Sequence, residues 1–281
     1  MSYVVTGATG QLGRLVVSAL LERGAAASDI VATGRKLESL ADLGVSTAVL
    51  DYNDPATIAA ALKPGDVLLL VSGSEVGKRV PQHVAVIDAA KAAGVARIVY
   101  TSAPAATTSA LVLAPEHKAT EEALVASGVP FTILRNGWYT ENYAAQIAEG
   151  RDTGSISLSV GDGRVASASR KDFADAAAVA LLDDSLAGQV LELSGDYAWT
   201  FDELAAAIAG IVGRDVTYTR LSPDEHTAAL TGAGLDAGTA GFVVALDGNI
   251  RDGLLAVTTG DLSRIIGRPT TPLAEGLAAV A

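Results

Sequence analysis

Tyr3-Val4-Val5-Thr6-Gly7-Ala8-Thr9-Gly10-Gln11-Leu12-Gly13 decides how the rest of the chain is read. A β-branched run, Tyr3–Thr6, passes through G-x-x-G-x-x-G into an amphipathic stretch from Gln11 to about Arg23, closed by Gly24. This is the strand-to-helix turn that receives a dinucleotide. A diphosphate needs a close approach to the backbone and free amides, and a helix N-terminus supplies both. Gly7 makes the tight turn, Gly10 lets the diphosphate come near, and Gly13 lets the helix pack on the strand, with Thr9, Gln11 and Leu12 completing the cradle. An ordinary glycine-rich loop is the alternative, and the strand before and the helix after weigh against it.

The second strand, Ile30–Thr33, indicates which dinucleotide. NAD sites end that strand with Asp or Glu, which holds the ribose 2′-hydroxyl. Here it ends Thr33-Gly34-Arg35-Lys36, and the only nearby acid, Asp29, precedes the strand. The planar fork of Arg35 matches a phosphate, so NADPH is the expected coenzyme. A solvated basic pair is the alternative. Two further loops follow strands, where ligands of open α/β sheets bind. Tyr52, after Val45–Leu50, suits an adenine edge, and Ser72-Gly73-Ser74, after Asp66–Val71, is small enough to lie along a ribose or diphosphate. Both also read as plain loops.

Further strands at Arg97–Thr101 and Phe131–Leu134 alternate with helices at Lys36–Leu43, Ala56–Leu62, Pro81–Ala93 and Pro115–Ser127. Six strands in this rhythm predict an α/β fold with a doubly wound parallel sheet of Rossmann type. From about Asn136 the rhythm loosens, which sets an NADP-binding domain over 1–150 against a smaller α/β substrate-side lobe over 151–281, parts of which return to the sheet. In the lobe, Asp172–Asp184 and Thr200–Val212 read as helices, the second opened by a Thr200/Glu203 capping box. Gln189–Leu193 and Val216–Leu221 read as strands. Gly232–Gly241 holds four glycines and reads as a mobile loop or a loosely packed helix edge, and as a candidate lid over the cleft. Thr271-Pro272 is expected to cap a final helix.

Composition removes other classes. With no cysteine among 281 residues, disulfides, thiolate catalysis and Cys-ligated metals are excluded. His83, His117 and His226 show no metal-ligand spacing, so no metal is expected. A net charge of −12 and 5% aromatic residues disfavour nucleic acid. No apolar run reaches the roughly 18–20 residues of a membrane helix, and no basic export leader is visible, so the expected location is the cytoplasm. Small apolar residues on surface helices are compatible with a homodimer without requiring one.

Several segments together resemble the NmrA-like group of atypical short-chain dehydrogenases: Thr6–Gly13, Ser74–Val76 with Pro81-Gln82-His83, Ala89–Val95 leading to Tyr100-Thr101-Ser102, Leu134–Tyr143, Ser194–Thr200 and Ile266–Glu275. The resemblance implies a Rossmann domain with a smaller C-terminal lobe, NADPH in the cleft with Ser102 beside it, and hydride transfer to a quinone without flavin. A non-enzymatic NADP(H)-binding redox sensor, a role also known in that group, is the competing reading. Where most short-chain dehydrogenases carry Tyr-x-x-x-Lys, this chain has His117-x-x-x-Glu121, which counts against alcohol, ketone and sugar-nucleotide epimerase chemistry. A quinone tolerates that loss, because its reduced oxyanion is a stabilised phenolate that solvent can protonate. His117 is a candidate proton donor with a pKa near working pH, or else a surface histidine in the first turn of a helix. Asn136, Trp138, Tyr139 and Asn142 follow the sixth strand, where amide, phenol and ring faces could orient a planar acceptor, Asn136 and Tyr139 as candidate catalytic residues.

Overall fold

The computed structural model describes residues 1–281. Seven parallel strands form its main sheet, in the order β3-β2-β1-β4-β5-β6-β9. These are β1 (Tyr3–Val5), β2 (Ile30–Gly34), β3 (Ser46–Val49), β4 (Val67–Leu70), β5 (Arg97–Ser102), β6 (Phe131–Asn136) and, beyond β7 (Ser155–Leu158) and β8 (Arg164–Val165) of the lobe, β9 (Val190–Leu193). All four residues of β4 and all six of β5 are buried, as a sheet covered on both faces requires. One face carries α1 (Gln11–Glu22) and the alanine-rich α6 (Arg170–Leu182). The other carries α2 (Pro55–Ala61), α3 (Arg79–Ala93) and α4 (Ala114–Ser127). The chain steps outward from β1 to β3 and then restarts at β4 on the other side. That reversal opens a crevice at the C-terminal ends of β1 and β4.

A second core gathers Tyr143, Trp199, Phe201 and Tyr218. Around it run α5 (Ala144–Thr153), β7 (Ser155–Leu158), β8 (Arg164–Val165), β10 (Trp199–Thr200), α7 (Phe201–Val212) and β11 (Thr217–Arg220). β11 pairs with β7 in parallel, and β10 with β8 antiparallel. The Thr200/Glu203 box is present, with the Thr200 amide donating to Glu203 Oε2 at 2.7 Å.

Gln189–Leu193 is the expected strand and returns to the main sheet as its seventh member. Three expectations are corrected. Lys36–Leu43 is a 3₁₀ segment, Leu37–Leu43, ended by Gly44 at φ +67°. Gly232–Gly241 is no loop: it is the corner between α8 (Pro223–Gly232) and α9 (Ala237–Arg251). Asp236 starts α9 by accepting from the Thr239 amide at 3.0 Å, and this cap offsets part of the cost of Gly238 and Gly241 inside the helix. Thr271 does not cap α11 (Leu273–Ala278), which follows α10 (Asp261–Ile266); its hydroxyl donates to Asp172 instead, at 3.1 Å. No helix is long and apolar enough to cross a membrane.

Candidate active site

A cavity of about 290 Å³ lies at the C-terminal ends of β3, β2, β1 and β4. Gly7, Thr9, Gly10, Gln11, Leu12 and Gly13 form one wall. Arg35, Tyr52, Ser72, Gly73 and Ser74 form the others, with Arg35 exposed to solvent. Gly7 adopts φ +60°, the left-handed turn expected of it. Gly10 begins α1 with no side-chain cap, so the first-turn amides are left to a ligand. A Cβ at Gly10 would lie 3.3 Å from Gly7 O, crowding the space a diphosphate would enter. An uncapped helix start, a glycine cradle and an arginine at the second strand's end fit the diphosphate and 2′-phosphate of NADPH.

Tyr52 enters this cavity by its ring alone. Its hydroxyl donates to Val71 O at 2.6 Å and lies 2.5 Å from Thr6 Oγ1, tying β1 to β4, and burial pushes its pKa well up. An adenine would meet the ring and not the phenol. The loop after β4 is anchored from beneath by groups the sequence reading left unassigned. The Gly73 amide donates to His83 Nε2 at 2.9 Å, and Arg79 Nε donates to Gly73 O at 2.8 Å. The Ser72 amide donates to Thr101 Oγ1 at 2.9 Å. Arg79 and His83 stand four residues apart on α3, a helical spacing that puts both on one face.

Ser102 is not part of the cavity. Its hydroxyl donates to Glu121 Oε1 at 2.5 Å, inside an ion cluster in which Arg135 reaches Glu121 at 2.7 Å and Glu192 at 2.8 Å. His117 is corrected on two counts. It is only 5% exposed, because α4 packs on α3, and its Nδ1 lies 2.7 Å from Tyr100 Oη. Burial first, and the nearby Arg79 charge second, push its pKa down to about 3, so it is a neutral imidazole at working pH.

His83 is likewise pushed down to about 3, by burial and then by His117 and Arg79. Both histidines ionise near 6.5 in the unfolded chain, so between those values the unfolded state binds more protons than the folded one. Stability is therefore fully present above about pH 6.5 and falls as the pH drops, by up to about 1.4 kcal/mol per pH unit for each histidine. Urea denaturation at pH 7.5 and pH 5.5 is expected to show this loss, and His117→Phe should shrink it. Equal stability at both pH values would contradict the burial of the pair.

After β6 the chain turns away from the cavity. Tyr139 packs edge-on to Phe173 at 5.2 Å between ring centroids, with the Arg170 guanidinium 5.0 Å over its ring, and burial pushes its pKa up. Asn136 is buried, its Nδ2 3.4 Å from Tyr139 Oη and its Oδ1 without a partner. Trp138 packs against the second core, and Asn142 is exposed and accepts from Arg170 Nη2 at 3.2 Å. None of the four side chains borders the first cavity.

A second cavity, of about 260 Å³, opens at the ends of β5, β6 and β9. Gly137 is the one residue of the Asn136–Asn142 stretch in its wall, beside Pro104, Ala105, Glu192 and Leu193, with Leu254, Leu255 and Val257 opposite. The Gly232–Gly241 stretch lines neither cavity. Ala105 holds φ +45°, the only non-glycine residue at positive φ. Its amide donates to Glu192 Oε2 at 3.0 Å, so the carboxylate that braces Arg135 also fixes this strained floor. No sequence motif marked this pocket, because mostly small and apolar residues from five distant segments build it.

Comparison with known proteins gives the same picture. Quinone oxidoreductase 2 of Escherichia coli is 46% identical over 276 residues, covering 97% of this chain and 96% of that protein. The crystal structure of an Escherichia coli NADPH-dependent quinone oxidoreductase complexed with NADPH superposes with a TM-score of 0.94 and 44% identity, over 100% of this chain and 99% of that one. Citrobacter sp. triphenylmethane reductase complexed with NADP(H) gives a TM-score of 0.94 at 35% identity, with both chains fully covered. Residues 2–237 match the NmrA-like family. With its glycine cradle, its reversed strand order and this match over most of its length, the chain belongs to the NmrA-like family.

Proposed function

We propose that this protein is an NADPH-dependent quinone oxidoreductase that works without flavin. The observation that supports this most is the continuity of one sheet edge: the glycine cradle occupies the ends of β1 to β4, and an apolar cavity follows at the ends of β5, β6 and β9. NADPH, when bound, supplies the hydride. The chain's own residues bind and orient: the α1 amides take the diphosphate, Arg35 the 2′-phosphate, and the Pro104–Ala105 and Leu254–Val257 walls a flat ring.

No titrating acid stands ready here. His117 is held neutral, and Tyr100 and Tyr139 are held protonated by burial. An acceptor whose reduced oxygen is a stabilised phenolate fits such a site, since the balancing proton can come from water. The same lack counts against carbonyl reduction and epimerisation. A coenzyme sensor needs only the first cavity, so the second one favours the enzyme.

The acceptor cavity's single carboxylate, Glu192, is spent on Arg135 and Ala105, and its other walls are mostly apolar. Uncharged quinones are the expected substrates. Steady-state NADPH oxidation with neutral benzo- and naphthoquinones is expected to exceed that with a sulfonated naphthoquinone by roughly tenfold or more in kcat/KM. A preference for the sulfonate, or no turnover with any quinone, would contradict the proposal.

A further inference from the structure

Coenzyme choice in this cleft has a steric half as well as an electrostatic one. Gly34 ends β2, at the place where an NAD site carries its acidic residue. It is buried, and its φ lies outside the left-handed region, so the backbone does not itself require glycine there. Space does. A Cβ at position 34 would lie 2.4 Å from Thr9 Cγ2, 3.0 Å from Thr9 Oγ1 and 3.2 Å from Thr9 Cβ.

Rotating Thr9 about χ1 could swing its methyl and hydroxyl aside, but the Cβ–Cβ approach is the same in every rotamer. At 3.2 Å it remains inside the roughly 3.5–4.0 Å of a comfortable carbon contact. Relief then needs the Thr9 backbone to give by a few tenths of an ångström, and its neighbour is held. The Ala8 amide donates to Thr33 O at 2.8 Å, which clips the glycine turn to the end of β2 immediately beside it.

We propose that Thr9 and Gly34 form a steric lock that bars the acidic side chain by which NAD is read, leaving Arg35 as the sole reader of the adenosine ribose. The inference rests on the reading of this cleft as an NADPH site. It follows that Gly34→Asp will not make the protein accept NADH. The carboxylate would collide with Thr9 and push the cradle out of shape for both coenzymes.

Isothermal titration calorimetry with NADPH and NADH tests the lock on two pairs of variants. Gly34→Ala adds the Cβ without a charge and is expected to weaken NADPH binding by roughly tenfold or more. In Thr9→Gly/Gly34→Ala most of that loss should return, measured relative to Thr9→Gly alone, which is the coupling expected of side chains competing for one space. In the charged pair, Gly34→Asp should bind NADH no better than the original protein. Thr9→Gly/Gly34→Asp should bind it roughly tenfold or more tightly than Gly34→Asp does.

Tighter NADH binding by Gly34→Asp alone, or no recovery in the alanine pair, would overturn the lock. If Gly34→Ala is too unstable to titrate, its thermal midpoint carries the same comparison: restored by Thr9→Gly if the two side chains collide, unmoved if they do not. An original protein that binds NADH as tightly as NADPH would remove the coenzyme reading, and the alanine pair would still decide the steric claim.

Discussion

Gly13→Ala is expected to lower coenzyme affinity by roughly a hundredfold or more and to cost about 3 kcal/mol of stability. The added Cβ would lie 2.5 Å from Gly7 O, 2.7 Å from Gly7 C and 2.9 Å from Ala8 Cα. All three are backbone atoms of the turn that must receive the diphosphate, and none can rotate away. Relief requires α1 to lift off β1. That movement would loosen the packing of Leu12, Val16, Val17 and Leu20, the buried face of the helix, and would carry the first-turn amides out of position. Calorimetric titration with NADPH and a thermal melt read the two effects separately. Gly10→Ala provides the contrast, since its Cβ meets only Gly7 O, at 3.3 Å. It should lose binding with little loss of stability. Near-normal NADPH affinity in Gly13→Ala would refute this account of the turn.

The second large effect concerns the ion cluster behind the acceptor cavity. Arg135→Leu is expected to cost about 3–5 kcal/mol, because it strips a buried carboxylate of its partner. Glu121 is only 4% exposed, and Arg135 meets it through both Nε, at 3.0 Å, and Nη2, at 2.7 Å. Those contacts hold the guanidinium firmly protonated, its pKa pushed up chiefly by Glu121. The loss should shrink in Arg135→Leu/Glu121→Gln, where no buried charge remains. Releasing Glu192 also frees the Ala105 floor, so KM for the quinone should rise more than the Kd for NADPH. Urea denaturation and steady-state kinetics check both parts. A stability change within about 1 kcal/mol would show that the cluster is solvated enough to be marginal.

The sequence disclosed the coenzyme half of the site far better than the acceptor half, and the reason is where each one's determinants lie. The cradle is local: eleven consecutive residues, Tyr3–Gly13, contain the strand, the turn and the helix start. β4 is legible locally too, as the unbroken apolar run Val67–Leu70. The second cavity is non-local, joining Pro104, Gly137, Leu193 and Leu255, each an unremarkable small or apolar residue where it stands. β8 and β10 are two residues long and exist only because they pair with each other, so no periodicity could mark them. His117 looked like a surface residue in a first helical turn, and only the packing of α4 on α3 buries it. Gly238 and Gly241 suggested a loop by composition, whereas the Asp236 cap and packing against α8 decide for a helix. Neighbours within the fold have claimed the hydroxyls of Ser102 and Tyr52, which leaves Tyr52 only its ring for a ligand.

The most direct test of direct transfer from NADPH to a quinone is a single-turnover measurement on flavin-free protein, following loss of the reduced coenzyme's absorbance with a neutral quinone. Coenzyme deuterated on one or the other face of nicotinamide C4 is compared with the unlabelled form. A primary isotope slowing of about twofold or more with one face alone is the expected result, as an oriented transfer demands. Tight NADPH binding without turnover, or turnover that appears only when flavin is added, would contradict it.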